Sequence, residues 1–284
     1  MKKKYLLFIL LILVALVQVF ANEDKIVGYK ITPTFEKILQ KHQISYDVKD
    51  KITMRILADY GAVFTSQNQT IVPPYVIFPD AEAVNKWQAS VKSEKKILSG
   101  ISIELQSVAM RALLAAQATA KEARLTISPN GSTAAARSYE DTAKLWRSRV
   151  DPGLSFHLKQ KHISATEAET IRKLSPKDQI SEILKLEAKG FYFSKSLDKS
   201  ILYSVAAVGT SQHISLLALD VKEHNNQQVR AILAKHGWFQ TVVSDQPHFT
   251  YLGVTEDKLP SLGLKKVVNG GRIYWLPDID VIAK

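Results

Sequence analysis

Between Val208 and Gly253 the chain carries turn and cap signals so closely spaced that the order of elements is nearly forced. Val208-Gly209-Thr210-Ser211 is a loop of small residues. Leu217-Ala218-Leu219-Asp220-Val221 is a short apolar run, and it predicts a buried strand rather than a surface helix. Asn225 and Asn226 can cap a helix that carries Val229, Ile232, Leu233 and His236 and is closed by Gly237. Phe239 to Val243 reads as a strand, Ser244-Asp245-Gln246-Pro247 as a turn, and His248 to Leu252 as the returning strand. Pro247 fixes its own φ and keeps Gln246 out of the helical region, so His248 begins an extended segment in a stiff frame.

Polar residues sit at the ends of this unit. Asp220 closes an apolar run, where an unpaired carboxylate is costly to bury, and a metal ion would remove that cost. His213 precedes it and His248 opens the far strand. Two histidines and one carboxylate are a common ligand set for catalytic zinc, which needs three side chains and one position open to water. A strand-end aspartate capping the next turn, with a histidine that merely packs, accounts for His213 and Asp220 equally well. His248, in its rigid frame, favours the metal. Asp245 lies three residues before His248 and adds a carboxylate beside the site.

Ser211-x-His213, six residues, Asp220, then Asp245-x-Pro247-His248 resembles the zinc peptidases that include D-alanyl-D-alanine carboxypeptidases and L-alanyl-D-glutamate endopeptidases. The resemblance covers roughly residues 101 to 253. It implies one Zn2+ held by His213, Asp220 and His248, with Asp245 as general base. It also implies an arginine after a strand and at the head of a helix. Here Arg124 to Ser128 reads as that strand, Pro129 to Ser132 as a turn, and Arg137-Ser138-Tyr139 as the helix start. Arg137 is then the candidate to bind the substrate's carboxylate or polarise the scissile carbonyl. Ser211 is assigned to hydrogen-bonding substrate or a ligand, since no base stands beside it for attack. The Asp-x-Pro-His form is that of the endopeptidase branch, whereas the carboxypeptidase branch more often has Glu and Trp. The chain departs from the family at Leu216, where a glycine is usual.

The chain has 284 residues, 46% of them hydrophobic, and no cysteine, which suits one large domain or a domain with an extension, held by packing alone. Residues 1 to 21 combine Lys2, Lys3 and Lys4, an apolar run from Tyr5 to Val17, and small residues at Val19 and Ala21. That pattern predicts a secretory signal peptide cleaved after Ala21. The run is shorter than the ~20 residues of a membrane helix; an uncleaved anchor is the alternative, and it would be the chain's one membrane contact. With no cysteine, a lipid-anchored one at the cleavage site is excluded. The net charge of +11 includes the three signal lysines and suits anionic wall polymers or acidic lipid. Export, and the lack of a basic cluster interleaved with aromatics, argue against nucleic acid.

Residues 22 to 100 read as an N-terminal extension of unknown role. A helix opens at Thr32-Pro33-Thr34, Thr70 to Pro79 is extended, and Asp80 caps a helix with Val84, Trp87 and Val91. Leu105 to Ala123 is a strong, alanine-rich helix. Pro152-Gly153 is expected to end the helix after Arg137. Helices at 166–174 and 176–189 follow, making a helical insertion at about 151–200. Phe191 to Phe193 and Ile201 to Val205 are expected strands, and Val267 to Trp275 a hairpin with a glycine turn. His157 and His162 are expected on different faces of a helix, at the surface. His224 shares strand parity with Asp220 and is a competing ligand, while His42 and His236 look like ordinary helix residues.

These readings combine into an α+β fold: a small, mostly antiparallel sheet carrying a zinc site, flanked by helices, with the peptidase domain at 101–284. The expected function is an exported zinc peptidase of the periplasm or cell envelope, acting on a peptidoglycan peptide. A wall-binding protein that keeps the fold without turnover is the other reading, and Leu216 is the feature that keeps it open.

Overall fold

The computed structural model describes residues 26 to 283, so the signal-like segment lies outside the described residues. Strand β1 (Ile26–Ile31) pairs antiparallel with β9 (Ile279–Ala283), which closes one end of the described chain on the other. Strands β2 (Ser93–Leu98) and β3 (Ile101–Gln106) form one hairpin, and β7 (Leu264–Asn269) and β8 (Arg272–Pro277) another. The sheet that matters most joins β4 (Ala218–Asp220), β6 (His248–Tyr251) and β5 (Trp238–Phe239) in the order β4-β6-β5, all antiparallel.

Helices surround these strands: α1 (Pro33–Lys41), α2 (Lys51–Tyr60), α3 (Ala81–Ser90), α4 (Ser107–Glu122), α5 (Tyr139–Lys159), α6 (Ala165–Lys173), α7 (Pro176–Ala188) and α8 (Gln227–Lys235). The fold is therefore α+β, as the sequence predicts. One buried apolar cluster runs through it, from Phe35 and Leu57 through Trp146 and Ile183 to Phe249 and Ile279. Ala109, Ala116 and Ala120 are fully buried on α4, and their small side chains let it pack closely against α8. Helix starts follow their caps: Asp50 accepts from Ile52 N at 3.0 Å, and Asp80 from Ala83 N at 2.8 Å. Ser138 and Asp141 form a capping box that fixes where α5 leaves Arg137.

Several local expectations are corrected. Helix α5 does not end at Pro152-Gly153 but runs on to Lys159. A proline inside a helix costs about 3 kcal/mol, and burial of Val150 and Leu154 outweighs it at about 1.5–3 kcal/mol each. Gly153 is required there because a Cβ would collide with the Phe193 ring. Phe191 to Phe193 is a loop, and Ile201–Tyr203 is a 3-10 turn. One backbone N–H of each segment goes to a side chain instead of a neighbouring strand: Glu187 Oε1 accepts from Phe193 N at 3.0 Å and Ile201 N at 2.7 Å. Arg124 to Ser128 forms no strand; only an isolated bridge, Pro129 to Val221, ties the segment to β4. Strand β5 is shorter than Phe239 to Val243. His157 is buried rather than exposed, its Nε2 bonded to Tyr192 O at 2.9 Å and its Nδ1 3.1 Å from His162 Nδ1.

Leu216 explains its own oddity. It ends the 3-10 turn Gln212–Ser215 in the left-handed region, with φ 57° and ψ 22°, a conformation that glycine adopts without strain. Its carbonyl accepts from Gln106 N at 2.9 Å, so the conformation is held by the β3–α4 junction. Both Leu216→Ala and Leu216→Gly remove the buried side chain, but only glycine also removes the backbone strain. Leu216→Gly should therefore be more stable than Leu216→Ala by about 1 kcal/mol. That reverses the usual order of the two residues, and urea unfolding midpoints will show it.

Candidate metal centre

The register of the small sheet builds the centre. Asp220 on β4 lies directly across from His248 on β6, so their side chains leave the same face side by side. His213 reaches them from the 3-10 turn Gln212–Ser215, whose start is capped by Ser211 Oγ accepting from His213 N at 3.4 Å. His213 Nε2 is 3.1 Å from His248 Nδ1 and 3.2 Å from Asp220 Oδ1, and His248 Nδ1 is 3.4 Å from the same oxygen. With metal–ligand bonds near 2.0–2.1 Å and tetrahedral angles, ligand atoms stand about 3.3 Å apart. The three edges of this triangle match that spacing.

The hydrogen bonds behind the triangle decide where its protons are. His213 Nδ1 faces Ala135 O at 2.7 Å, an acceptor, so Nδ1 carries the proton and Nε2 a lone pair. His248 Nε2 faces Gln212 Oε1 at 2.8 Å, and the amide of Gln212 is oriented because its Nε2 donates to Tyr60 O at 2.7 Å. His248 therefore donates from Nε2 and turns its Nδ1 lone pair inward. Thr241 and Thr250 also donate to Gln212 Oε1. Two nitrogen lone pairs and a carboxylate oxygen then converge with no proton among them, and Asp220 Oδ1 is buried without a hydrogen-bond partner. A cation resolves that repulsion; the donor set, two imidazoles and one carboxylate, fits zinc.

Charges around the centre agree. Burial pushes the His213 imidazole down to about 4, despite the opposing pull of Asp220, so it is neutral and ready to ligate. Burial alone would raise Asp220, but its close neighbours His213 and His248 hold it below the ordinary carboxylate range. Arg137 lies just before α5 and places Nη2 3.0 Å from Asp220 Oδ2. It pairs with the ligand carboxylate. Burial raises the Asp245 carboxyl, as does the Asp220 charge, against the opposing influence of His248 and Arg137. A cavity of about 220 Å³ is lined by His213, His248, Asp245, Arg137 and Ser211.

All six residues singled out from sequence thus lie at one place. Gln212, which sets the tautomer of His248, and the Ala135 carbonyl, which sets that of His213, carry no signal in the sequence. His224 is not part of the ligand cluster; it falls in the turn after β4. His236 ends α8 and bonds to Thr119 Oγ1 at 3.0 Å.

No protein-family model matches the chain, and no curated protein does. Among solved structures, a vancomycin-resistance D,D-pentapeptidase, VanY from a VanB-type cassette, in complex with Zn(II) matches at 15% identity and TM-score 0.34, over 58% of this chain and 82% of that one. VanYB in complex with D-alanine-D-alanine matches at 16% identity and TM-score 0.34, over 58% and 80%. The LD-carboxypeptidase LdcB matches at 17% identity and TM-score 0.32, over 61% and 70%. Backbone overlap of that degree is too slight to argue from, and the site stands on its own geometry.

Two outcomes follow from that geometry. Free zinc at a hundred times its dissociation constant should stabilise the protein by about 3 kcal/mol, and His213→Ala should lose the gain; unfolding with and without chelator measures both. Without metal, stability should fall as pH drops from about 6.5 toward 4. In that window the unfolded chain protonates His213, ordinarily at 6.5, while the folded chain does not, and Asp220 titrates only below it.

Proposed function

We propose that the protein is a zinc-dependent peptidase of the cell envelope that hydrolyses peptidoglycan peptides. The observation that carries the reading is the convergence of three unprotonated ligand atoms beside a cavity that also holds Asp245 and Arg137. The Ser-x-His, Asp and Asp-x-Pro-His motifs, whose family acts on such peptides, supply the substrate class. A bound zinc supplies Lewis acidity, acidifying water and polarising a carbonyl. Asp245 takes the proton of the attacking water and passes it to the leaving amine, and its raised pKa brings it nearer to the working range of a general base.

Arg137, joined to Asp220, keeps the ligand carboxylate ionised and oriented and presents positive charge to the tetrahedral oxyanion. Ser211 acts mainly by holding the turn that carries His213, and its place in the cavity wall leaves it within the reach of substrate. The signal-like N-terminus supports export, and no described helix is long and apolar enough to cross a membrane. The wall-binding reading rests on Leu216. That side chain is buried and is not part of the cavity wall, so it gives no reason for lost turnover.

Purified, zinc-loaded protein should release terminal D-alanine from muropeptides or cut after L-alanine, as read by mass; unchanged muropeptides would refute the proposal. Asp245→Asn should lower turnover at least a hundredfold while the zinc content stays at one ion per chain. Surviving activity would remove Asp245 from the role of base.

A further inference from the structure

The metal centre leans on a part of the chain that carries none of its ligands. Arg137 stands on the irregular segment 125–138, which forms no helix or strand apart from the bridge at Pro129. His213 stands on a single 3-10 turn. Neither belongs to a strand ladder or a long helix, yet both must be held in place. Gln88, on α3, touches both segments: its amide nitrogen donates to Arg137 O at 3.1 Å and to Ile214 O at 2.9 Å. Two carbonyl neighbours identify that end of the amide as the nitrogen, and each takes one of its two protons. The Arg137 backbone and the His213 turn are thereby tied through one planar group.

Apolar packing aims at the same two segments. Val84 and Trp87 of α3 form one buried cluster with Phe78 and Ile214, and Tyr139, the first residue of α5, packs against it. Ahead of α3, Phe78 N donates to Gly209 O at 3.0 Å, and Pro79 O accepts from Tyr139 OH at 3.2 Å. A Cβ on Gly209 would stand 2.5 Å from Phe78 O, so the two backbones meet where only glycine fits. The segment that Gln88 holds also contains Ala135, whose carbonyl accepts the Nδ1 proton of His213, and Arg137 in turn pairs with Asp220. A slide of this segment against the His213 turn would loosen both contacts at once. Misplacement by about 1 Å can cost roughly a hundredfold in rate.

We infer that Gln88 is a positioning residue that fixes Arg137 and the Ala135 carbonyl against the His213 turn, which makes the region before residue 101 a working part of the centre. The holding role stands on the bonds alone; its effect on turnover rests on the peptidase reading. Gln88→Met keeps the length and bulk of the side chain and removes both donors. At saturating zinc it should lower kcat at least about tenfold. KM should stay within about twofold, because Arg137 meets the oxyanion only in the transition state. Lys86→Met, at an exposed position of the same helix, should leave kcat unchanged. NMR of the metal-free protein supplies a readout that needs neither zinc nor substrate. Solvent exchange of the His213 Nδ1 proton should be at least about tenfold faster in Gln88→Met. An unchanged kcat or an unchanged exchange rate in Gln88→Met, or an equal fall of kcat in Lys86→Met, would overturn the inference. Should the unaltered protein cut no muropeptide, the peptidase reading fails, and the exchange rate alone decides the role of Gln88.

Discussion

Three electron-pair donors meeting without a proton are the constraint on which the rest of the structure depends. His213 Nε2, His248 Nδ1 and Asp220 Oδ1 approach within 3.1–3.4 Å of one another in a buried place, where neutral or negative atoms repel unless a cation stands between them. Each is locked in that state from behind. Ala135 O accepts the far proton of His213, Gln212 Oε1 accepts that of His248, and Arg137 holds the second oxygen of Asp220. Any of these partners could have placed a proton inside the triangle, and none does.

The surrounding fold serves that arrangement. The Asp220–His248 pairing comes from sheet register, which is specified strongly because a slip of one residue would turn His248 away and bring Phe249 inward. The N-terminal region takes part through Tyr60, whose carbonyl orients the Gln212 amide, and through the pairing of β1 with β9. Leu216, strained in the left-handed region, sets the sharp exit of the chain from the His213 turn into β4.

The three convergent side chains, His213, Asp220 and His248, and the order of elements around them are legible in the sequence because their signals are local. Asn226 caps α8, Pro247 stiffens the approach to His248, and Gly270-Gly271 turns the last hairpin as expected, both at positive φ. The tautomer-setting partners were not legible, since a carbonyl at Ala135 and an amide at Gln212 acquire meaning only once distant segments meet. Residues 191–193 and 201–205 are not strands for a related reason: buried Glu187 takes an N–H from each, and composition cannot reveal a side chain standing in for a neighbouring strand. Pro152 misled because burial on α5 outweighs a local penalty. Strands β2 and β3 went unread although Ser99-Gly100 marks their turn; the apolar side chains of β2 include Ile97, which is 75% exposed, so its pattern lacks a core face.

X-ray absorption at the zinc edge, on protein loaded with one equivalent of zinc, tests the central claim most directly. Two imidazole nitrogens and oxygen ligands near 2.0 Å are expected, with one imidazole lost in His248→Ala. A coordination shell without imidazole, or one unchanged by that substitution, would contradict the account.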